Sequence, residues 1–211
     1  MTEPRKVVLW RHGQTTWNVE RRFQGTTDIP LDETGIAQAE RSARLLAALE
    51  PDAIVASPPR RAAATAEALS TITGLTVTHD PDLIERHGGA WEGLTNYEIR
   101  TRFPSEHAIW QPPDGEKVED VAKRFAGALE RALERIPEDG LLVIVSHGAA
   151  IRIGMLDWLG FPEELWGRFG GLSNCSWSVL EEGRIGWRIV EHNAGTLPEP
   201  VLSDDRAASD N

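Results

Sequence analysis

The chain has 211 residues, of which 40% are hydrophobic, and its formal net charge is −11 at pH 7. This length favours one domain with a sizeable core. The acidic balance argues against a nucleic acid or an anionic membrane as partner, since both require a basic face. No apolar run approaches the ~18 residues of a membrane span, and the first residues lack the apolar stretch of a signal peptide, so we expect a cytoplasmic protein.

The number of cysteines limits the disulfides and metal sites that the chain can form. Cys175 is the only cysteine, which excludes an internal disulfide and any metal site built on two or four cysteines. It lies in a strand-like run, where we expect it to pack as a small side chain rather than to act as a nucleophile.

Strand-like and helical patterns alternate along the chain. Runs rich in Val, Ile, Leu or Thr predict strands at 6–11, 53–57, 75–79 and 141–146, and apolar positions at helical spacing predict helices at 35–49, 59–74 and 118–135. Two further runs, 173–181 and 185–191, predict a terminal hairpin. The fold class is therefore α/β, as a three-layer α/β/α sandwich with a mostly parallel central sheet, helices on both faces and a C-terminal antiparallel hairpin.

We expect a single domain over residues 1–194. The stretch 96–117 interrupts the alternation with Pro104, Pro112, Pro113 and Gly115, and is predicted to form a lid-like insertion over the site. Residues 195–211 are rich in proline early and in charge later, and are predicted to be a disordered tail.

The tripeptide Arg11-His12-Gly13 stands at the end of the first predicted strand, just before a helix-like stretch. In an α/β sheet, ligands bind outside the carboxyl ends of the strands, where helix N-termini attract anions. A guanidinium at that position can grip a phosphoryl group while the neighbouring imidazole attacks it. The tripeptide is therefore a candidate phosphate site.

Later segments complete this arrangement. The strand predicted at 141–146 is followed by His147-Gly148, so that a second imidazole can lie beside the first at one edge of the sheet. The second strand is followed by Arg60 and Arg61. Glu85 lies in a glycine-bearing loop and can supply a carboxylate to the site. Glu92, seven residues later, is the alternative source of that carboxylate.

Together these stretches resemble the histidine phosphatase superfamily, the phosphoglycerate mutase-like enzymes. The matching segments run in family order over roughly residues 5–155. They are Leu9 to Asn18, the block from Phe23 to Ala39, Ser57 to Ala66, Glu85 to Gly93, and Ser146-His147-Gly148. Within the superfamily, the stretches that begin at Gly171 and Gly186 are similar to the end of actinobacterial glucosyl-3-phosphoglycerate phosphatases.

The resemblance implies a role for each matching residue. His12 would be the nucleophile that becomes a phosphohistidine, and Glu85 would be the general acid and then the base. The family pattern selects Arg61 rather than Arg60. The residues implied to grip the phosphoryl oxygens are Arg11, Arg61 and His147, and those implied to bind substrate around them are Asn18, Gln24, Gly25, Arg86, His87 and Gly148.

The resemblance also implies chemistry without a cofactor. No His, Asp or Glu cluster has recognisable metal-ligand spacing, so we expect no metal ion, and cationic side chains would neutralise the phosphoryl charge instead. Because His12 must attack as neutral imidazole, we expect its other ring nitrogen to donate to a backbone carbonyl.

The most favoured function is thus a metal-independent phosphomonoesterase acting on a small phosphorylated metabolite, such as glucosyl-3-phosphoglycerate or a related sugar or acid phosphate. A 2,3-bisphosphoglycerate-dependent phosphoglycerate mutase is the alternative, because Glu85-Arg86-His87 is the mutase-like form of that loop. Against it, Asn96 stands where mutases carry a lysine. A non-catalytic phosphate-binding module and a phosphoprotein phosphatase are less favoured. The resemblance also allows a homodimer.

Overall fold

The fold is built on one six-stranded sheet within residues 3–195, the part of the chain that the computed structural model describes. The strands are β1 (Lys6–Arg11), β2 (Ala53–Ala56), β3 (Val77–His79), β4 (Leu141–Ser146), β5 (Trp177–Gly183) and β6 (Gly186–Ala194). Their order across the sheet is β3-β2-β4-β1-β5-β6. The first four in this order are parallel and the last two antiparallel. The predicted mostly parallel sheet with a terminal hairpin is confirmed.

Helices lie on both faces of this sheet. They are α1 (Thr16–Val19), α2 (Glu33–Ala47), α3 (Arg60–Thr73), α4 (Asn96–Arg102), α5 (Pro104–Ala108), α6 (Val118–Leu133), α7 (Gly148–Trp158) and α8 (Glu163–Trp166). In β1, Val7 and Leu9 pack with α6 and α7, whereas Val8 and Trp10 pack with α2 and α3. Successive strand side chains point to opposite faces. The continuous apolar run of β1 is therefore explained by burial on both sides, and the predicted three layers are present.

The register of the parallel strands sets the position of the site. Arg11 at the end of β1 is paired with Ser146 at the end of β4, and Ala56 at the end of β2 is paired with Val145. All three strands therefore end at one edge of the sheet, and the loops that follow them converge there.

Local hydrogen bonds explain why one helix and one strand begin at residues other than those predicted. Helix α2 begins at Glu33, two residues before the predicted start, because the carboxylate of Asp32 accepts the N–H of Gly35 at 2.8 Å. Strand β3 begins at Val77 rather than at residue 75. The carbonyl of Leu75 accepts a hydrogen bond from Ser70 Oγ at 2.7 Å, so this residue is tied back to the last turn of α3 rather than paired in the sheet.

The prediction of a strand over 173–181 is wrong at its beginning, since β5 starts at Trp177. Residues before it form a turn in which Cys175 has a φ of +55°. The N–H of Cys175 donates to the carbonyl of His12 at 3.2 Å, and the carbonyl of Ser176 accepts from the N–H of Arg11 at 2.9 Å. This backbone thus serves the loop after β1 instead of pairing with β6. The side chain of Cys175 is buried, as expected.

The stretch predicted as a lid, 96–117, contains α4, α5 and a turn. Its Trp110 ring lies 5.0 Å from the buried ring of Trp91 between centroids. That the segment closes over a substrate stays a prediction, as does the single domain over 1–194. From residue 196 onward the predicted disordered tail lies outside the described residues. Between residues 3 and 195, no helix combines the length and hydropathy needed to cross a membrane.

Candidate active site

The edge where β1 and β4 end carries both predicted histidines. The N–H of His12 donates to the carbonyl of Ser146 at 3.0 Å, and His147 follows Ser146 directly. The two imidazole centroids are 5.2 Å apart, and His12 and His147 expose only 3% and 0% of their surface. The structure therefore brings the two histidines together in a buried pair.

The tautomer of His12 follows from its backbone contact. Its Nδ1 lies 2.7 Å from the carbonyl oxygen of Gly13. Because a carbonyl only accepts, Nδ1 carries the proton and Nε2 holds the lone pair. Burial, followed by the charges of Arg61 and Arg11, holds the pKa of His12 well below its ordinary value, although the Gly13 hydrogen bond raises it. The expected backbone acceptor is confirmed.

Arg61 spans the floor of the site. Its Nε donates to Nδ1 of His147 at 3.2 Å. Its Nη1 and Nη2 donate to the carbonyls of Thr27 and Gly25, both at 2.8 Å. The neighbouring Arg60 is exposed and pairs with Asp28 at the surface. Of the two arginines, the structure brings Arg61 to the histidines.

His147 is held from both ring nitrogens. Because Arg61 only donates, Nδ1 of His147 accepts and the proton lies on Nε2, which is 2.8 Å from Ser57 Oγ. Burial lowers the pKa of His147 well below its ordinary value, and the charge of Arg61 lowers it further. Ser57 was not predicted to contribute, although it opens the motif that contains Arg61.

Arg11 approaches the same edge from the end of β1. Its side chain is buried, and Nη1 donates to the carbonyl of Leu172. A Cβ added to Gly148, the first residue of α7, would lie 3.5 Å from Arg11 Nε. The guanidinium of Arg11 therefore packs in van der Waals range of the N-terminus of α7.

Asn18, one of the residues implied to bind substrate, lies in the first turn of α1. Its Oδ1 accepts the N–H of Thr15 at 3.1 Å and Nδ2 of Asn174 at 3.2 Å. The Nδ2 of Asn174 also lies 3.2 Å from the carbonyl of His12. Asn174 therefore ties the backbone of His12 to α1, a role the local sequence pattern did not indicate.

Gln24 and Gly25 lie in the loop after α1. Oε1 of Gln24 accepts from Thr15 Oγ1 at 3.1 Å. Gly25 has a φ of +52°, and an added Cβ would lie 2.2 Å from Oε1 of Glu92. Only glycine satisfies both conditions.

Glu92, the alternative acid, serves this loop. Its carboxylate accepts the N–H groups of Thr26, Thr27 and Gly88 at 2.9 to 3.0 Å. Burial raises its pKa, but these hydrogen bonds and those from threonine hydroxyls outweigh burial, and the pKa lies below its ordinary value. Glu92 is thus an anchor for residues 25–27.

Glu85 lies at the N-terminus of α7. Its Oε2 accepts the N–H of Ala149 at 3.2 Å, and its Oε1 accepts that of Ala150 at 2.9 Å. A helix N-terminus supplies unsatisfied N–H donors to exactly this kind of acceptor. Since α7 begins directly after His147, the helix whose N-terminus binds the predicted acid is also the helix that follows the second histidine.

Arg124 of α6 supports the Glu85 loop and was missed as a functional residue. Its Nη1 donates to the carbonyls of Asp82 and Ile84 at 2.7 and 2.6 Å, and its Nη2 to that of Glu85 at 3.2 Å. Its Nε pairs with Oε1 of Glu116 at 2.7 Å. The guanidinium thus joins the backbone of Glu85 to the end of the predicted lid.

The two residues after Glu85 differ in position. Arg86 is buried, and its Nε and Nη1 donate to the carbonyls of Glu116 and Trp110 at 2.8 and 3.1 Å. Its Nη2 donates to Gln111 Oε1 at 2.7 Å. His87 is half-exposed, with Nε2 4.0 Å from Oε1 of Glu92. Arg86 therefore borders the site while holding the predicted lid, and His87 faces outward.

A cavity of about 160 Å³ opens beside Glu85. Aromatic rings and side chains from α7 and α8 form most of its wall. The lining residues are Phe23, Glu85, Arg86, Trp110, Val118, Ala149, Arg152, Ile153, Glu163, Trp166 and Gly167.

Comparison with known proteins identifies this arrangement. The sequence profile of the histidine phosphatase superfamily (branch 1) matches residues 7–195. The chain belongs to the histidine phosphatase superfamily.

Two named proteins and one solved structure are similar to this chain over most of its length. The glucosyl-3-phosphoglycerate phosphatase of Mycobacterium tuberculosis is 38% identical, over 90% of this chain and 95% of its own. A solved structure of mycobacterial glucosyl-3-phosphoglycerate phosphatase with VO3 matches with a TM-score of 0.86 at 38% identity, covering 90% of this chain and 100% of that one. A Yersinia pestis protein named "Probable phosphoglycerate mutase" is 33% identical, over 94% of this chain and 98% of its own. This histidine phosphatase is therefore a phosphatase enzyme acting on a small phosphorylated substrate.

The charge distribution of this histidine phosphatase reconciles a net charge of −11 with an anionic substrate. Two buried arginines, Arg11 and Arg61, flank His12 and His147 in an otherwise acidic chain. A cationic site is therefore local, and local donors rather than the global field decide phosphate binding. Within residues 3–195, no three His, Cys, Asp or Glu side chains are grouped so that they could hold a metal ion.

Proposed function

We propose that this histidine phosphatase acts through a phosphohistidine on His12, without a metal ion. The observation that carries the proposal is the tautomer of His12. Its Nδ1–H is committed to the carbonyl of Gly13, so Nε2 holds the lone pair in a site that also contains Arg11 and Arg61. A neutral imidazole beside two guanidinium groups is suited to attack a phosphate that these groups bind.

In the first step, Nε2 of His12 attacks phosphorus and the bond to the ester oxygen breaks. Arg11, Arg61 and the Nε2–H of His147 stabilise the charge on the phosphoryl oxygens. Asn18, Gln24 and the backbone at Gly25 and Gly148 complete the pocket. Glu85 donates its proton to the departing alkoxide, which leaves as the alcohol.

In the second step, Glu85 accepts a proton from water while the water oxygen attacks phosphorus. The P–N bond breaks, inorganic phosphate forms, and His12 and protonated Glu85 are restored. The position of Glu85 supports its assignment, because it is bound at the N-terminus of α7, and this helix begins at Gly148 directly after the second histidine.

For the substrate, we propose glucosyl-3-phosphoglycerate or a related sugar or acid phosphate. This rests on the M. tuberculosis relative, whose name states that activity and which matches nearly the whole chain. Arg86, which lines the cavity, and His87, which faces outward, stay proposed as substrate contacts.

We also propose a cytoplasmic location, where phosphorylated metabolites are found, and no nucleic acid or membrane partner, given the net charge of −11. A homodimer stays a proposal that light scattering with size-exclusion chromatography would test.

The function is tested by phosphate release at neutral pH in excess chelator. Glucosyl-3-phosphoglycerate, 3-phosphoglycerate and an aryl phosphate are compared, with His12→Ala as control. We expect the glucosyl substrate to be preferred and all turnover to be lost in the variant. Loss of activity in chelator, or turnover by His12→Ala, would contradict the mechanism. Interconversion of 3- and 2-phosphoglycerate that outpaces phosphate release would favour the mutase.

A further inference from the structure

The cavity beside Glu85 is where the leaving group lies if the proposed function holds. A general acid must be within hydrogen-bond reach of the oxygen that it protonates. Glu85 forms part of the wall, as does Ala149, whose N–H holds the carboxylate. The group attached to the ester oxygen therefore extends into this cavity.

The shape and composition of the cavity limit what that group can be. Its volume of about 160 Å³ is below the ~300–1,000 Å³ of sites for drug-sized ligands. Three aromatic residues, Phe23, Trp110 and Trp166, line it, and the indole N–H of Trp166 is committed to the carbonyl of Phe161 at 2.8 Å. The wall thus offers apolar ring surface to a compact, ring-sized group.

The charged side chains of the cavity wall differ in the hydrogen bonds that they already make within the protein. Arg86 donates to the backbone of the predicted lid, and Arg152 donates to the carbonyl of Phe169 at 3.4 Å. Glu163, at the start of α8, is exposed to solvent at the cavity and makes no hydrogen bond or ion pair with residues 3–195. It is therefore an acceptor-only group available to a ligand.

A carboxylate beside aromatic surface suits a polyhydroxylated group. Sugar hydroxyls donate to carboxylate oxygens in charge-assisted hydrogen bonds, while the C–H faces of the ring pack against indoles. The same carboxylate repels an anionic group placed beside it, so a neutral part of the leaving group, and not its glycerate carboxylate, is expected at this position. A neutral glycosyl unit of the leaving group satisfies all of these conditions next to Glu163, and a leaving group without such a unit does not.

We propose that Glu163 is a specificity-determining residue that binds hydroxyls of a glycosyl unit on the leaving group, with the rings of Trp110 and Trp166 as its packing surface. The proposal rests on the phosphatase function above and assigns the chemical class of leaving group that the cavity selects. Glu163 takes no part in phosphoryl transfer.

The next residue of the chain provides a matched control. Glu164 lies on the same short helix, is exposed and carries the same charge, but does not line the cavity. Comparing Glu163→Ala with Glu164→Ala therefore holds helix and net charge constant. Glu163→Gln removes the charge but keeps a carbonyl acceptor.

The first measurement is kcat/KM for glucosyl-3-phosphoglycerate divided by kcat/KM for 3-phosphoglycerate. We expect Glu163→Ala to lower this ratio by about 5- to 30-fold, the loss of a partly exposed charge-assisted hydrogen bond. The ratio for Glu163→Gln should lie between that of the unsubstituted enzyme and that of Glu163→Ala. Glu164→Ala should keep the ratio within about twofold. Equal effects of Glu163→Ala on the two substrates, or no effect on either, would overturn the proposal.

The second measurement does not depend on turnover of the glucosyl substrate. Hydrolysis of an aryl phosphate is inhibited with glucosylglycerate, the alcohol without its phosphate. We expect Glu163→Ala to raise the inhibition constant and Glu164→Ala to leave it unchanged. If glucosylglycerate does not inhibit the unsubstituted enzyme, the assignment of Glu163 fails. The phosphohistidine function would stand in that case, because it is tested separately by His12→Ala.

Discussion

Nε of Arg61 donates to Nδ1 of His147 across 3.2 Å, and this contact fixes the tautomer of the second histidine. The two remaining nitrogens of the same guanidinium donate to the carbonyls of Gly25 and Thr27. One side chain therefore couples a site imidazole to the loop at residues 25–27. Lysine cannot reproduce this arrangement, because its ammonium is a single point of charge without a fork.

For Arg61→Lys we expect kcat/KM for an aryl phosphate to fall by about 10²-fold or more, the scale of losing one oriented donor in a site of developing charge. The matched control is Arg60→Lys, since Arg60 is exposed and pairs with Asp28. We expect the control to retain activity within about twofold. Equal rates in the two variants would contradict the role given to Arg61.

The supporting role of Arg124 is expected to appear in kcat. Its guanidinium holds the carbonyls of Ile84 and Glu85, so Arg124→Lys should let the acid's loop shift. We expect kcat to fall by about 10- to 100-fold with little change in KM, since small misplacements of a catalytic group have costs of this order. The loss should be smaller for an aryl phosphate than for an alkyl ester, because an aryl oxide needs less protonation.

The control for this prediction lies on the same helix. Arg131 is exposed and pairs with Asp80 and Asp82, so Arg131→Lys should keep kcat. A loss for Arg124→Lys that is equal for aryl and alkyl leaving groups would indicate general disturbance rather than positioning of the acid.

Burial of both histidines predicts a pH dependence of stability. The pKa values of His12 and His147 lie well below 6.5 in the folded chain. Below pH 6.5 the unfolded chain therefore binds more protons than the folded one, and the free energy of unfolding must fall as the pH falls. Each histidine contributes a slope of up to about 1.4 kcal/mol per pH unit in that window.

We expect urea unfolding to show this decline between pH 7.5 and 5.5. In His12→Asn the slope should become shallower, because one of the two groups is removed. The control is His79→Asn, a change at an exposed position. A slope in His12→Asn equal to that of the unsubstituted protein would show that His12 is not held neutral by the fold.

The residues at strand ends could be predicted from the sequence because each follows a continuous apolar run, and the carboxyl ends of parallel strands lie at one edge of a sheet. The parallel pairing of β1 with β4 brings Arg11 and Ser146 opposite each other. His12 and His147 then become neighbours without further information. Arg61 could be predicted for a different reason, since it lies in the first turn of the helix that follows β2.

Other contributors depend on contacts between distant segments that leave no local pattern. Asn174 reaches His12 and Asn18 from a turn more than 150 residues away. That same turn is why the strand predicted over 173–181 begins late. Arg124 is one of many charged residues on an amphipathic helix, and only the structure shows that it faces the Glu85 loop.

The most direct test of the mechanism is to trap the covalent intermediate. The enzyme is mixed with a ³²P-labelled phosphate ester, quenched in alkali and analysed for protein-bound label, with His12→Asn alongside. We expect label on His12 that survives alkali and is released in acid, as a P–N bond requires, and none in the variant. Label at another residue, or label retained by His12→Asn, would contradict a phosphohistidine on His12.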